Sequence, residues 1–418
     1  MNRTAPPLSL GDGFLWATGI EDTFIAEPHA VTGRTLDEYA LTEHYERWEE
    51  DLRLIAELGV RAARYGIPWY RVNPRPGEFD WSWTDRVLET MVNVHRIEPI
   101  IDLVHYGTPV WMERSFLSPD YPRFVAEYAR AFAEHYRGLC HWYTPLNEPR
   151  VNAWYAGRLG WWPPHGRSWR GFTDVMLQIC RGICLTQAAI RDVVPDAVMV
   201  HVDATDLYVP LDAADSRVAG ETRTRQELVF LALDLVLGRI DDRHRLHGWL
   251  ARQGVRDEDL RWFREHAVTP DVIGYNMYPM FSRKVVRSTP RGGVRVGIRP
   301  CWTETLMELT RMYAARYSPI PVMITETACS GSMKRRIRWI EDSVEVVRQA
   351  RAEGIPLVGY TFWPLYSLVT WAYRNGRAEL GDYLLDMGLW DLRRTDKGLE
   401  RVHTPAVDAY KRAVRASV

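Results

Sequence analysis

Eight short apolar runs, rich in β-forming residues, alternate with longer amphipathic segments along almost the whole chain. That alternation limits the fold more than any other feature. The expected strands are Phe14–Gly19, Val60–Gly66, Pro99–His105, His141–Asn147, Ala197–Asp203, Asp271–Met277, Ile320–Glu326 and Leu357–Trp363. Between them Glu43–Leu58, Thr84–Arg96, Pro122–Arg137, Phe172–Val193, Trp302–Tyr317 and Lys334–Glu353 read as helices, and Pro405–Ala416 closes the chain. In Glu43–Leu58 the apolar residues Trp48, Leu52, Ile55 and Leu58 recur at helical spacing, and Gly59 ends the pattern. No Ser- or Gly-rich linker interrupts the series, so the expected architecture is α/β, a single (β/α)8 (TIM) barrel over residues 1–418. A doubly wound sheet is the alternative, but no glycine-rich phosphate loop follows the first strand.

Two connections are long, about 204–270 and 279–300. The first holds three further helical patterns, Thr222–Leu237, Asp242–Arg252 and Asp257–Glu265. The second carries Arg283, Lys284, Arg287, Arg291, Arg295 and Arg299 with no acid, and Pro290 with Gly292-Gly293 marks it as loop or hairpin. A charge run of this kind ordinarily faces water; the functional alternative is a lid over an anionic group.

Basic and acidic residues balance, 53 against 54, which gives no electrostatic case for a nucleic-acid or anionic-membrane partner. No stretch approaches the roughly 18 uncharged apolar residues of a membrane span. Met1 to Asp12 has neither a basic start nor a long apolar run, so no signal peptide and a cytoplasmic location are expected. Five scattered cysteines do not suggest a disulfide framework. His244 and His247 are three apart on an expected helix with no third ligand nearby, Cys180 and Cys184 read as packing residues, and no metal or cofactor is expected. Cys329 lies three residues beyond Glu326; a reactive thiol there needs a histidine base. The 18 Trp and 20 Tyr chiefly fill core and seams, with a few left to stack on a ligand such as a sugar.

Polar residues gather at the carboxyl ends of the expected strands, which a barrel brings to one mouth. The apolar strand up to Leu146 ends in Asn147-Glu148 before Pro149, and the seventh ends at Glu326, 178 residues later. Glu21, Arg64, His105, Asp203, Asn276, Tyr278 and Trp363 occupy the other ends. Each has a packing explanation alone, yet so many buried polar groups are costly unless they pair. Two carboxylates on facing strand ends suggest acid/base chemistry on a glycosidic bond.

At this point the chain resembles glycoside hydrolase family 1, the β-glucosidase type of retaining barrel. Thr144–Pro149 is similar to the family's Thr-x-Asn-Glu-Pro motif, and Ile324-Thr325-Glu326 to the start of its nucleophile motif. Phe14-Leu15-Trp16, Gly33-Arg34-Thr35-Leu36-Asp37, His44-Tyr45-Glu46-Arg47 with Asp51, Asn276-Met277-Tyr278, Trp363 to Trp371 and Met387-Gly388-Leu389 match in family order. The resemblance implies Glu326 as nucleophile and Glu148 as acid/base, with carboxyls about 5–5.5 Å apart and retained anomeric configuration. It also implies that Arg64 keeps Glu326 ionised, Tyr278 donates to it and Asn147 holds the sugar 2-hydroxyl. The natural substrate is then a small β-glycoside.

Departures from the family pattern touch the sugar end. Glu21 stands nearest the usual Gln, Thr327-Ala328 replaces Asn-Gly, and Thr370, just before Trp371, replaces the Glu that holds the sugar 4- and 6-hydroxyls. Losing that acceptor points to a deoxy, amino or otherwise modified sugar rather than plain glucose. Phospho-sugar members also lack this Glu, but Glu379 stands where they place a Tyr, with Arg377 near the position of their Lys. The alternatives are a transglycosidase using the same intermediate, a 6-phospho-β-glycosidase and a non-catalytic sugar-binding barrel. Oligomeric state is left open.

Overall fold

The computed structural model describes residues 3–416, so Met1 and Asn2 of the Met1 to Asp12 stretch, and the last two residues of the chain, lie outside the described residues. Eight strands close into a barrel: β1 (Leu15–Gly19), β2 (Ala62–Gly66), β3 (Glu98–Asp102), β4 (Trp142–Thr144), β5 (Val198–Ala204), β6 (Val272–Asn276), β7 (Val322–Thr327) and β8 (Leu357–Phe362). Neighbours pair in parallel around the ring, and β1 meets both β2 and β8. The main helices are α1 (His44–Glu57), α2 (Ser82–Glu89), α3 (Tyr121–His135), α4 (Trp169–Val193), α5 (Thr303–Tyr317), α6 (Met333–Ala352) and α7 (Pro405–Arg415).

The barrel interior is filled rather than hollow. Leu15, Ala17, Ile100, Trp142, Val200 and Met323 belong to one buried cluster inside the strands, and Leu8 and Leu10 pack against it. The Trp142 indole donates to the Leu8 carbonyl at 2.9 Å, and Arg3 forks onto the Glu98 carboxylate at 2.8 and 2.6 Å. The amino-terminal segment therefore seals the end of the barrel where the strands begin, and chemistry is left to the carboxyl ends. A larger cluster lies between strands and helices, where Leu52 and Ile55 of α1 are fully buried.

The strands stop earlier than the sequence pattern suggests. β3 ends at Asp102 and β4 at Thr144, so His105, Asn147 and Glu148 lie on short turns just beyond the ladder. Backbone geometry accounts for this: Tyr106 and Glu148 adopt left-handed φ of 69° and 48°, which ends an extended run. The expected helix Thr84–Arg96 is α2 followed by a wider turn at Thr90–Val94. Thr222–Leu237 is two helices, Ser216–Val229 and Leu231–Val236, broken at Phe230.

The basic segment forms a hairpin, Arg283–Ser288 with Val294–Ile298, added to a short strand at Leu207–Pro210. Arg287, Arg291, Arg295 and Arg299 are exposed on it, while Lys284 reaches Asp206 at 3.5 Å. Arg287 sits opposite Arg295 across the hairpin, a like-charge pairing that water must screen. Cys180 and Cys184 are buried in α4, with the Cys180 thiol 3.7 Å from the Met176 sulfur, so they pack. Among the described residues no helix is long and apolar enough to cross a membrane.

A carboxy-terminal hairpin, Asp391–Thr395 with Gly398–Val402, is pinned to α1 through a buried ion pair. Arg401 forks onto Asp51 at 2.8 and 3.0 Å, and Asp51 also faces His44 Nδ1 at 2.7 Å and accepts from the Tyr366 hydroxyl at 3.2 Å. Both members of the pair have fully buried side chains. Breaking such a pair from one side strands the other charge, so Asp51→Ala should cost about 3–5 kcal/mol of stability by chemical denaturation. Loss of under about 1 kcal/mol, the worth of a surface pair, would contradict this reading of the network.

Candidate active site

Irregular backbone presents both glutamates. The Asn147 N–H donates to the Val104 carbonyl at 2.9 Å and the Glu148 N–H to Val202 at 3.0 Å, so the turn is anchored on both neighbouring strands. Pro149 then opens a short helix, Pro149–Asn152, and the Asn152 amide returns to the Asn147 carbonyl at 3.0 Å. These bonds hold Glu148 in a backbone conformation that non-glycine residues seldom adopt. In β7 the register against both neighbours shifts between Ile324 and Glu326 or Thr327, a bulge that re-aims the side chain. The Glu326 carbonyl still accepts from Met277 N–H at 2.9 Å.

Arg64 joins the parts. Its fully buried guanidinium donates to the Glu326 carboxylate, to the Asp102 carboxylate, and to Asn147 Oδ1 at 2.9 Å. The Trp363 ring covers it with the ring centre 5.0 Å away. Gly19, at the end of β1, allows that ring to approach: an added Cβ would lie 2.2 Å from it. Glu326 receives a further bond from the Tyr278 hydroxyl at 2.7 Å. Burial raises the Glu326 carboxyl above its ordinary range, while Arg64 and the Tyr278 hydroxyl pull it down.

Glu148 has a different shell. Asn276 donates to its Oε1 at 2.8 Å and the Tyr106 hydroxyl to its Oε2, and among the described residues no cation is hydrogen-bonded to it. Burial and the negative charge of Glu326 push this carboxyl up to about 7, against the lowering effect of those two donors. Two buried carboxyls in one site cannot both ionise freely, and the cation sits on Glu326.

The expected site residues converge, though some in other company than anticipated. Asn147 gives Nδ2 to the Tyr106 oxygen and to His105 Nε2, each at 3.0 Å, so its amide is tied to protein groups. His105 Nδ1 faces Asp22 at 2.7 Å and Asp102 at 3.3 Å. The two aspartates raise the imidazole well above its usual range, and burial raises Asp22 to about 7. Arg64 fixes the Asn147 amide with Nδ2 toward Nε2, which must then accept. We accordingly place one proton on Nδ1, shared toward Asp22. Trp363 stacks on His105 with ring centres 5.9 Å apart and donates from its indole to Glu21 Oε2 at 3.4 Å.

Tyr106, Asp22, Asp102 and Glu38 were not singled out from sequence. Tyr106 directly follows His105, and its hydroxyl was a signal open to use; the aspartates gain meaning only once Arg64 and His105 point at them. Glu38 is fully buried, accepts from the Val369 N–H at 3.1 Å, and has an Oε1 without a partner among the described residues. Burial and neighbouring Glu21 raise it well above the carboxylate range. It thus lies beside the segment where Thr370 stands, half-buried, with its N–H on the Tyr383 carbonyl at 2.8 Å. Trp371 packs edge-on against Tyr106 and Trp162 at 5.3 and 5.0 Å. Arg377 and Glu379 are exposed.

A cavity of about 400 Å³ opens beside Tyr106, lined by Ile25, Glu27, Met112, Arg114, Pro163 and His165 among others. The Cys329 thiol is buried on the Ser330 carbonyl at 3.5 Å and is raised by that burial, which suits packing better than reactivity. Glu227, Asp234 and His244 also converge, away from the barrel mouth. Arg316 donates to both acids there, at 3.0 and 2.6 Å, and takes the place a cation would need. His247 instead faces Asp257 at 3.3 Å.

Comparison with known proteins gives concordant results. The model of the family described as Glycosyl hydrolase family 1 matches residues 16–290. A bifunctional β-D-glucosidase/β-D-fucosidase of Bifidobacterium breve is 26% identical over 405 residues, 85% of this chain and 85% of its own. An aryl-phospho-β-D-glucosidase of Bacillus subtilis is 20% identical over 387 residues, covering 82% of this chain and 80% of its own. Among solved structures, a β-glucosidase from Thermotoga maritima in complex with glucoimidazole superposes with a TM-score of 0.82 at 22% identity, covering 97% of this chain and 98% of that one.

The charge argument for the two glutamates is testable without substrate. Glu326→Gln removes the negative charge that helps raise Glu148, so carbon-13 NMR titration should find the Glu148 carboxyl titrating lower in the variant than in wild type. A value unchanged or higher in the variant would show that the two carboxyls do not share a field.

Proposed function

The chain belongs to glycosyl hydrolase family 1, and from that premise we propose that it is a retaining β-glycosidase with Glu326 as nucleophile and Glu148 as acid/base, acting on a small β-glycoside. One observation carries the assignment: Glu326 is bonded to the Arg64 guanidinium, whereas among the described residues Glu148 is bonded only to the neutral donors Asn276 and Tyr106. A nucleophile must be ionised and a general acid protonated, and that difference in partners separates the two states.

The reaction has two steps. A Glu326 carboxylate oxygen forms a bond to the anomeric carbon as the bond to the leaving oxygen breaks, and the Glu148 proton passes to that oxygen. Water then gives a proton to Glu148 and attacks the anomeric carbon, releasing Glu326 as carboxylate. Two inversions leave the configuration retained. Tyr278 and Arg64 steady the nucleophile. Asn147 is placed to exchange its bond with Tyr106 for one to the sugar 2-hydroxyl, and the cavity beside Tyr106 is the volume we assign to the leaving group. His105, Trp363, Glu21 and Trp371 form the surrounding wall, with Asn276 oriented by Thr325 at 2.7 Å.

The glycone reading rests on Thr370. It brings no carboxylate to the 4- and 6-hydroxyl end, where Glu21 and Glu38 are the acids nearby, so a sugar modified at those carbons should be accepted. That the Bifidobacterium breve relative is named for both a glucoside and a fucoside, the latter a 6-deoxy sugar, is in keeping with a weakly read 6-position. The 6-phospho reading draws no support from Arg377, which is exposed beside an exposed acid.

Three outcomes are expected. Wild type should release a burst of phenol from an activated aryl β-glycoside and form product of retained configuration by NMR, while Glu326→Gln gives no burst. Glu148→Ala should lose about 10²–10⁴-fold on glycosides with poor leaving groups and much less on activated ones, with azide restoring turnover. An inverted product, or a burst that survives Glu326→Gln, would refute the assignment. Across aryl β-glycosides varied at carbons 4 and 6, kcat/KM should change little; a strong preference for the unmodified glucoside would overturn the reading of Thr370. Product analysis with added alcohols separates hydrolase from transglycosidase.

A further inference from the structure

Both oxygens of Glu148 already accept hydrogen bonds, and their donors differ in freedom. The Asn276 amide is fixed, because its Nδ2 also faces Asn147 Oδ1 at 3.4 Å, an oxygen held as acceptor by Arg64, which leaves Oδ1 of Asn276 to Thr325 Oγ1 at 2.7 Å and Nδ2 to Glu148 Oε1. A proton on Oε1 would oppose that N–H. The Tyr106 hydroxyl at Oε2 is both donor and acceptor and changes role by turning about its C–O bond. Without substrate its oxygen accepts from Asn147 Nδ2 at 3.0 Å, and its ring is set by Trp162 at 5.1 Å and Trp371 at 5.3 Å. The residue keeps a left-handed backbone, φ 69°, to stay there.

Resting on the reading of Glu148 as acid/base, we propose that Tyr106 is a positioning residue that selects Oε2 of Glu148 as the proton-carrying atom. With Glu148 ionised, the phenol O–H donates to Oε2. When Glu148 takes up its proton, the proton sits on Oε2, and the phenol oxygen accepts a hydrogen bond from that O–H. The glycosidic oxygen then replaces the phenol as recipient, and in the second step water returns a proton to the same oxygen. No proton leaves Tyr106 in either step. The phenol thereby stabilises whichever form of Glu148 each half-reaction consumes, and stabilises the ionised form more, since a bond to a charged acceptor is the stronger.

Other charged or titratable groups also face Glu148. Glu326 comes from β7, with Arg64 of β2 behind it; His105 follows β3, Tyr155 follows β4 and Tyr278 follows β6. Glu21, beyond β1, acts on Tyr106 and Tyr278. None of these is altered by changing only the phenol oxygen of Tyr106.

The test is the pH profile of kcat/KM on an aryl β-glycoside. A donor that is lost favours the protonated acid, so Tyr106→Phe should move the alkaline limb up by about 0.5–1 pH unit. Site-specific 2,3-difluorotyrosine at position 106, nearly the same shape but a stronger donor, should move it down. A limb that stays put or moves the opposite way in the fluorinated protein overturns the proposal, and that protein decides alone if Tyr106→Phe does not fold. Glu148→Gln is the separate control. If it keeps the wild-type alkaline limb, the acid/base reading of Glu148 fails; if it loses the limb while position 106 has no effect, only the role of Tyr106 fails.

Discussion

A single buried cation orders the mouth of this barrel. Arg64 contacts Glu326, Asp102 and Asn147 from a position with no exposure of its own, under the Trp363 ring. Around it lie Glu21, Asp22, Glu38, Asp102, Glu148 and Glu326, a surplus of acid that low polarity would not tolerate fully ionised. The site meets that constraint by distributing protons. Burial raises Glu38, Asp22, Glu148 and Glu326 alike, and Arg64, bonded to Glu326, works against that rise there. The difference between the two central glutamates is thus a consequence of where one guanidinium reaches.

The scaffold makes that reach possible. Arg64 stands on β2 and Glu326 on β7, far apart in sequence, and closure of β1 onto β2 and β8 brings them across one opening. The packed interior and the amino-terminal plug close the other end. Irregular backbone aims side chains at the mouth, through the bulge at Glu326 and the left-handed residues Tyr106 and Glu148.

Much of this is legible in sequence because it is written in periodicity. The eight strands and main helices follow from apolar spacing, and Glu148 and Glu326 stand out as polar ends of apolar runs. The partners that tune them are less visible. Asp102 ends a strand without any local sign that Arg64 will meet it, and Asp22 and Glu38 look like ordinary loop acids until His105 and Val369 are placed against them. Tyr106 passes for one more packing aromatic. Its role depends on the direction of one hydroxyl, which no spacing encodes. The break at Phe230 likewise has no proline or glycine to announce it.

The central claim is that Glu326, held by Arg64, forms the bond to sugar while Glu148 handles the proton. Trapping with a 2-deoxy-2-fluoro-β-glycosyl fluoride, followed by proteolysis and mass spectrometry, tests it most directly, because the fluorine slows release of the covalent intermediate. The account requires the added sugar mass on the peptide that contains Glu326, and on that residue by fragmentation. The same mass on Glu148, or turnover of the glycosyl fluoride with no labelled carboxylate, would contradict it.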